Sequence, residues 1–318
     1  MGLGRRLTLV AACVAAAAQS ALAQPAYPTH TVTVIVGFSA GGSVDVMARN
    51  LLAVISSQLG QQFVVVNKEG ASGSIAFAGL ALAKPDGYTI GAGPTTPMSI
   101  APHIHKDVKY GPDSFEYICQ SFENVFTVAV PAESPFRSIG EIVAAARARP
   151  GKLTYSHSGV GTVPHLSLAN FVYRTGIDVV AVPYRGEVPA VQDLLGARVD
   201  FGSPSVVLAV GRNLRVLAMF ADQRHPAFPD APTFSELDMP SMPPGFNGLY
   251  APKGTPREIV AVLERACEDA IKSEAFQAAA KRLYQPVVYL NGAAFAERAR
   301  KDYQYKGELI RALGIKAD

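Results

Sequence analysis

The sequence predicts an α/β protein built around two sheets, and two observations carry that prediction. The first is the opening unit: the β-branched run Val32–Val36 ends in the glycine turn Gly37–Gly42, and apolar residues at helical spacing continue to Leu59. The second is that strand–loop–helix units of the same kind start again near Val125. Strands that alternate with helices indicate mostly parallel sheets with helices on their faces.

Further strands and helices follow in the order that this fold class requires. Each predicted strand is a short apolar run bounded by turn residues, and each predicted helix has apolar residues three or four positions apart. In the first set, the predictions are strand Phe63–Val66, helix Ser74–Ala83 and strand Tyr88–Gly91. In the second set, they are helix Ile139–Arg149, strand Lys152–Tyr155, a helix carrying His165, strand Val179–Val182, helix Val188–Leu195 and strand Arg198–Phe201.

Three amphipathic helices are predicted at the C-terminal end, after a proline-rich stretch over residues 226–244. Thr255 is the expected N-cap of the first, with Pro256 at the first helical position and Glu258 completing a capping box. The predicted helices are Arg257–Ile271, Glu274–Leu283 and Ala293–Leu313. We expect residues 24–124 plus 245–318 to form lobe 1 and residues 125–244 to form lobe 2. Two lobes joined by two chain crossings can close on a ligand by hinge motion.

The N-terminus has the layout of a secretory signal peptide. An arginine pair at positions 5 and 6 precedes the apolar run Leu7–Ala18, and Ala21–Ala23 provides a small-residue cleavage site, so cleavage is predicted after Ala23. A lipoprotein cleavage box ending at Cys13 is the weaker alternative, because only about three apolar residues precede the box. The sequence therefore predicts export to the periplasm.

Composition limits the classes of partner. Removing residues 1–23 takes away two arginines and lowers the formal net charge from +3 to +1, and no long basic run remains. We therefore expect binding to neither nucleic acid nor a membrane surface. The protein is also expected to be a monomer. Cys119 and Cys267 are isolated in apolar surroundings. They are interpreted as unreactive core residues, with a disulfide as the alternative in an oxidising compartment.

The strongest chemical signal is a pair of glycine-containing loops, each between a strand and a helix. The first loop comprises Phe38, Ser39, Ala40, Gly41 and Gly42, and the second includes Ser158, Gly161 and Thr162. In open α/β sheets, ligands bind beyond the carboxyl ends of the strands, where such loops lie. Backbone N–H groups and the positive end of a helix dipole favour an anion there. The loops are expected to form two sides of one anion site, although each alone is also an ordinary tight turn.

Three titratable residues lie close to these loops in the sequence. Asp45 falls in the first turn of its helix. A carboxylate at this position either interacts favourably with the helix dipole or contacts the ligand. His165 falls early in the second helix and is expected either to donate to the anion or to cap the helix. Glu187 follows Arg185 and Gly186 at another strand–helix junction, and the sequence leaves open whether it lies on the surface or in the cleft.

An esterase site is the main chemical alternative. Gly37–Gly41 matches the G-x-S-x-G nucleophile elbow, so Ser39 would be the nucleophile, with His157 or His165 as its base. The elbow needs an oxyanion-hole amide from a loop after an earlier strand, and here Val32–Val36 is the first predicted strand. The sequence therefore disfavours catalysis by Ser39.

Nucleotide and metal sites are also disfavoured. Neither G-x-G-x-x-G nor G-x-x-x-x-G-K-[ST] is present. His103 and His105 lack a third metal ligand at useful spacing, and they are interpreted as solvent-exposed loop residues. We accordingly predict no catalytic residue, no metal and no cofactor.

Motifs spread over the whole mature chain are similar to those of one receptor family. They are Val34–Asp45, Lys84–Thr89, Pro150–Tyr155, Val182–Gly186, Asp193–Gly196, Pro229–Thr233 and Ala251–Pro256. In their number and order they resemble the Bug (Bordetella uptake gene) or TctC family, the extracytoplasmic solute receptors of tripartite tricarboxylate transporters.

The resemblance implies a type II periplasmic-binding-protein fold, with two α/β lobes and a ligand cleft between them. It also implies that the loops Phe38–Gly42 and Ser158–Thr162 hold a carboxylate through amides, hydroxyls and bridging waters. Thr95 and Thr96 match a third family loop that lines the cleft.

Two departures from the family pattern concern the ligand. Glu187 stands where a small residue is common in the family. Many members carry a polar cleft residue after Asp200, and in this chain Ser203 is the candidate for that position. The resemblance predicts a receptor that delivers a small organic carboxylate to a tripartite tricarboxylate-type permease, without catalysis. A ligand-sensing role with a sensor kinase is the alternative, and a secreted esterase is the less favoured one.

Overall fold

The structure is a computed structural model that describes residues 27–239 and 241–315. The predicted signal peptide, residues 1–23, lies outside the described residues. Two mixed sheets, one of six strands and one of five, are covered by helices, which confirms the predicted two-sheet α/β fold class. Within the described ranges, no helix is long and apolar enough to cross a membrane.

The elements are numbered in chain order. The strands are β1 Val32–Val36, β2 Phe63–Asn67, β3 Thr89–Pro94, β4 Phe115–Asn124, β5 Phe126–Pro131, β6 Thr154–His157, β7 Val180–Pro183, β8 Phe201–Gly202, β9 Leu214–Phe220, β10 Gly245–Pro252 and β11 Val287–Asn291. The helices are α1 Ser43–Leu59, α2 Ser74–Ala81, α3 Thr96–Ser99, α4 Ala101–Ile104, α5 Ile139–Ala148, α6 Val163–Thr175, α7 Glu187–Leu195, α8 Val206–Ala209, α9 Arg257–Lys272, α10 Glu274–Arg282 and α11 Gly292–Leu313.

The first sheet has the strand order β11-β4-β10-β3-β1-β2. Strand β1 pairs in parallel with β2 and β3, whereas β10 is antiparallel to both β3 and β4, and β11 is antiparallel to β4. The prediction of a mostly parallel sheet is therefore wrong for this half. The reason is topological: β4 leaves for the second sheet and β10 returns from it, so β10 runs opposite to its neighbours. We call this sheet and its helices the first lobe.

The second sheet has the order β7-β6-β8-β5-β9 and is also mixed. Strand β6 is parallel to β7 and β8, and β5 is antiparallel to β8 and β9. The chain passes from the first sheet to the second at Val125, between β4 and β5, and it returns ahead of β10, which begins at Gly245. We call the second sheet and its helices the second lobe.

Packing between β1 and α1 holds the first glycine loop at the edge of the sheet. Val34 and Val36 of β1 are fully buried, and they belong to the same core cluster as Met47 and Leu51 of α1. Burying a side chain of this size contributes about 1.5–3 kcal/mol, so both ends of the loop are anchored. Gly37 is required at the start of the loop because a Cβ there would lie 2.9 Å from Gly73 Cα.

A disulfide joins the first sheet to the C-terminal helices. Cys119 of β4 and Cys267 of α9 are bonded across a sequence separation of 148 residues, and both belong to the core of the first lobe. This corrects the interpretation of the two cysteines as unreactive core thiols. Each does lie in an apolar core, but the fold brings the two side chains together, which their sequence surroundings do not reveal.

Three local expectations are also corrected. The Thr255 hydroxyl donates to Pro252 O at 2.8 Å, so it does not cap α9, whose N-cap position is Pro256. Strands β9, β10 and β11 were not predicted: β9 pairs with β5, β10 with β3 and β4, and β11 with β4. His103 belongs to α4 and is half-buried rather than a solvent-exposed loop residue, because its ring packs on Tyr303 and its Nε2 contacts Tyr303 O at 3.0 Å.

Candidate ligand-binding site

A cavity lies between the two lobes, beyond the carboxyl ends of β1, β3 and β6. Both lobes and both chain crossings contribute to its wall. The lining residues are Phe38, Ser39, Gly42, Ser43, Val44, Pro94, Thr96, Asn124, Phe126, Ser158, Thr162, Val163, Pro164, Glu187 and Gly245. The wall combines apolar side chains with a few polar groups, as the walls of small-molecule sites do.

Three helices of eight or more residues begin at this cavity: α1 at Ser43, α6 at Val163 and α7 at Glu187. The first intrahelical hydrogen bond of α1 runs from Val46 N–H to Gly42 O at 3.0 Å. The N–H groups of the first turn therefore have no acceptor within the helix. The same applies to Val163 and His165 in the first turn of α6, whereas Pro164 between them has no N–H. Amides and dipoles that converge in this way favour an anion.

No cationic side chain assists the amides. Among the cavity-lining residues that the structure describes, none is Lys, Arg or His, and Glu187 is the charged one. Glu187 is 8% exposed, which answers the question that the sequence left open: it faces the cleft. Anion binding here would rest on backbone amides and hydroxyls rather than on an ion pair.

Glu187 belongs to a hydrogen-bond network that links the two lobes. Its Oε2 accepts from the Ser43 hydroxyl at 2.9 Å, and its Oε1 accepts from the Ser205 N–H. The Ser43 oxygen in turn accepts from Asn124 Nδ2 at 3.2 Å. The network therefore connects the start of α1, the end of β4 and the start of α7.

Two buried polar atoms in the cavity wall have no partner within the described chain. They are Ser39 Oγ and Asn124 Oδ1, on residues that are 7% and 3% exposed. A buried polar group without a hydrogen bond costs about 1–3 kcal/mol. Both residues line the cavity, where a polar ligand could supply the missing partners.

Two neutral histidines hold the second glycine loop in place. His157 Nδ1 accepts from Gly159 N–H at 3.2 Å, and His165 Nδ1 accepts from Gly161 N–H at 3.1 Å. The two ring centroids lie 4.3 Å apart, with the ring planes tilted by 34°. Burial, together with repulsion between the two rings, lowers the pKa of His157 to about 3, and burial lowers the pKa of His165 to about 4. Both imidazoles are therefore uncharged at neutral pH and act as acceptors for the loop.

The structure brings part of the predicted site residues into the cavity wall. Those that line it are Phe38, Ser39, Gly42, Thr96, Ser158, Thr162 and Glu187. Those that lie outside the lining are Ala40, Gly41, Asp45, Thr95, Gly161, His165 and Ser203. The role of both groups as ligand contacts stays a prediction, and the structure gives several residues of the second group other partners.

Asp45 supports the first loop from behind. Its carboxylate accepts from Gly41 N–H at 2.9 Å, and it also contacts Arg49 and Asn67. Burial alone would raise the pKa of Asp45, but the hydrogen bonds from Arg49, Gly41 and Asn67 outweigh burial and lower it below its usual value. Thr95 has a similar supporting contact, because its hydroxyl donates to the buried Asp302 at 3.4 Å.

Sequence reasoning missed several lining residues. The polar ones are Ser43 and Asn124, and the apolar ones include Val44, Phe126, Val163 and Pro164. Ser43 and Val163 could have been found, since each is the first helical residue after a predicted anion-binding loop. Asn124 carries no such signal, because its position depends on how β4 crosses between the sheets.

The two lobes are in contact across the cleft. A Cβ on Gly186 would lie 2.5 Å from Ser39 Oγ, and the Ser72 hydroxyl donates to Val160 O at 2.5 Å. Ser39 Oγ, the nucleophile of the esterase alternative, has no hydrogen bond to a histidine or to any other described residue. The contacts around Ser39 are therefore those of a lobe interface and not of a nucleophile–base pair.

Two α/β lobes, a double chain crossing and a cavity lined by helix N-termini define the class of two-lobed solute-binding proteins. Residues 47–315 match the family model described as "Tripartite tricarboxylate transporter family receptor", TctC. The chain belongs to this family.

Relatives and solved structures agree with the assignment. The chain is 35% identical over 293 residues to the UPF0065 protein in the tcbD-tcbE intergenic region of Pseudomonas sp. strain P51, covering 88% of this chain and 86% of the relative. It is 32% identical over 293 residues to protein BugT of Bordetella pertussis strain Tohama I, covering 86% and 87%. The structure of the periplasmic binding protein BugD aligns with a TM-score of 0.87 at 29% identity, covering 92% of this chain and all of that one.

Two further structural neighbours contain ligands. MatC from Rhodopseudomonas palustris, solved with bound malate, aligns with a TM-score of 0.83 at 27% identity, covering 89% of this chain and 100% of that one. R. palustris Rpa4515, solved with adipate, aligns with a TM-score of 0.86 at 28% identity, covering 91% and 99%. The predicted Bug/TctC family and the periplasmic-binding-protein fold are thereby confirmed.

Proposed function

We propose that this protein is a periplasmic receptor that binds a small organic carboxylate in the cavity between its lobes and delivers it to a tripartite tricarboxylate-type permease. The observation that carries the proposal is the convergence of the α1 and α6 N-termini on a cavity with no described cationic side chain. Such a site suits an anion held by amides. Malate and adipate in two structural neighbours support a carboxylate as that anion.

Export to the periplasm is part of the proposal. The disulfide between Cys119 and Cys267 supports it, because disulfides form and persist in oxidising compartments. The signal-peptide layout of residues 1–23 and membership in a receptor family support the same location.

A thermal-shift screen of the mature protein tests carboxylate binding. Mono-, di-, tri- and aromatic carboxylates are added one at a time, and the melting temperature is followed against concentration. A ligand that binds only the folded protein, at a free concentration a hundred times its Kd, raises the free energy of unfolding by about 2.7 kcal/mol. We expect a saturable rise for one class of carboxylate, and a flat response to all of them would contradict the proposal.

Two further measurements separate the proposal from its alternatives. The esterase alternative predicts turnover of a model ester that is lost in Ser39→Ala, whereas a receptor shows saturable binding and no turnover.

Deleting the permease distinguishes transport from sensing. Transport predicts loss of uptake in that strain, whereas a sensing receptor leaves uptake unchanged and keeps the transcriptional response to the ligand.

A further inference from the structure

Glu187 places a carboxylate inside a cavity that otherwise suits an anion. Its side chain is 8% exposed, it lines the cavity, and no described lining residue carries a compensating positive charge. The two histidines behind the second glycine loop do not provide one either, because burial lowers the pKa of both to about 4 or below. A ligand group that lies next to the buried Glu187 carboxylate therefore meets a negative charge that no lining side chain balances, and a second carboxylate there would be repelled.

The hydrogen bonds of Glu187 show what it can still accept. An ionised carboxylate accepts only, with about four lone-pair positions. Here the Ser43 hydroxyl and the Ser205 N–H fill two of them. The remaining positions are available to a donor in the cavity.

Asn124 adds a second acceptor beside Glu187. Because the Ser43 hydroxyl donates its hydrogen to Glu187, its oxygen accepts from Asn124 Nδ2. The amide orientation is thereby fixed, and Asn124 Oδ1 is left in the cavity wall without a donor from the described chain. One part of the cavity thus presents a carboxylate and an amide oxygen, both of which require donors.

We propose, on the basis of the receptor function proposed above, that the ligand carries one carboxylate and, separately, a hydrogen-bond-donating group, either ammonium or hydroxyl. Glu187 and Asn124 bind the donating group, while the amides at the starts of α1 and α6 bind the carboxylate. Glu187 is the specificity-determining residue, and it rejects ligands that present a second carboxylate in its place.

Isothermal titration of the mature protein with matched ligands tests this assignment. The probes are succinate and adipate, and for each chain length the ω-hydroxy acid, the ω-amino acid and the unsubstituted monocarboxylate. The variant is Glu187→Gln, which keeps the size of the side chain and its acceptor oxygen. The control is Glu69→Gln, which removes a negative charge from an exposed residue near the cleft mouth that does not line the cavity.

The wild type is expected to bind an ω-hydroxy or ω-amino acid at least about tenfold more tightly than the dicarboxylate of equal length. In Glu187→Gln that preference is lost, through weaker binding of the donor-bearing acid and tighter binding of the dicarboxylate, whereas Glu69→Gln retains it. Comparison of the hydroxy and amino probes identifies the donor.

Equal or tighter binding of dicarboxylates by the wild type would overturn the inference, as would a Glu187→Gln effect that is the same for every probe. In both cases carboxylates still bind, so the proposed function stands. If the thermal-shift screen and these titrations show no binding of any acid, the proposed function fails and this inference fails with it. The wild-type preference decides the matter even if Glu187→Gln does not fold.

Discussion

At Gly186 the two lobes touch with no room for a side chain. A Cβ there would lie 2.5 Å from Ser39 Oγ and 3.1 Å from Ser39 Cβ, and the backbone φ of Gly186 is +109°. The contact involves one residue from each lobe, so a side chain at this position would hold the lobes apart.

Gly186→Ala is therefore expected to weaken ligand binding by about tenfold or more, which corresponds to about 1.4 kcal/mol. Gly176→Ala is the control for a positive-φ glycine outside the lobe contact, since its φ is +62° and a Cβ there meets nothing within 4 Å. Titration calorimetry with the carboxylate that gives the largest thermal shift compares the two. Equal affinities in both variants would show that the Ser39 contact has no role in closure.

The histidine pair makes stability depend on pH. Both pKa values are lowered in the folded state, to about 3 for His157 and about 4 for His165, whereas an unfolded histidine titrates near 6.5. Between these values the unfolded chain binds protons that the folded chain does not, so stability falls as the pH drops from about 7 to 5. The free energy of unfolding is expected to fall by about 2 kcal/mol for each histidine over this pH range.

Urea denaturation at pH 7 and pH 5 measures this loss. In the double variant His157→Asn/His165→Asn, the amide oxygens can replace Nδ1 as acceptors but do not titrate, so the difference between the two pH values should shrink by about 4 kcal/mol. The exposed His30→Asn variant should behave as the wild type does. An undiminished pH dependence in the double variant would show that the pair is not held neutral by the fold.

At the residue scale, the sequence predicts the two glycine loops better than it predicts the side chains that contact them. Ser39, Gly42, Ser158 and Thr162 were expected at the site because glycine-rich turns between strand and helix are visible in a few consecutive residues. The Glu187–Ser43–Asn124 network could not be predicted, since its members are far apart in the chain and meet only when the lobes do.

At the scale of elements, the N-terminus of α1 is the part of the site that can be altered most selectively. Ser43 is the first helical residue, a position where proline is well tolerated, and Gly42 before it has φ −71° and ψ 165°, which a following proline accepts. Ser43→Pro removes the amide hydrogen together with the hydroxyl, and Ser43→Ala removes the hydroxyl alone. The difference between the two variants isolates the amide.

Ser43→Pro is expected to bind the carboxylate about tenfold to a hundredfold more weakly than Ser43→Ala, because a hydrogen bond to a charged group contributes about 1.5–3 kcal/mol. Titration of both variants gives the ratio, and circular dichroism confirms that α1 remains folded. A ratio near one would place the carboxylate away from this helix.

Prediction of the elements themselves succeeded where the signal is local. The β1–turn–α1 unit was predicted because a β-branched run, a glycine turn and apolar residues at helical spacing follow one another within one short stretch. The antiparallel β10 and the edge strand β11 were not predicted, because each forms by pairing with a partner more than a hundred residues away in the chain. The same reason explains why the sequence did not decide the disulfide.

For the molecule as a whole, the Cys119–Cys267 bond ties the C-terminal helices to the first sheet. It closes a loop of 148 residues, and closing long loops restricts the unfolded chain. Reduction is expected to destabilise the protein by about 2–4 kcal/mol, measured by denaturation with and without dithiothreitol. Cys119→Ala/Cys267→Ala should be insensitive to the reductant, and an unchanged wild type under reducing conditions would show that packing alone holds these helices.

The central claim is that the cleft binds a carboxylate through helix N-termini. The most direct test is a comparison, by titration calorimetry of the mature protein, between the carboxylate that stabilises it most and the neutral primary amide of the same acid. The two ligands have nearly the same shape and differ in charge. We predict that the amide binds at least about a hundredfold more weakly, and an amide that binds as tightly as the acid would contradict the account.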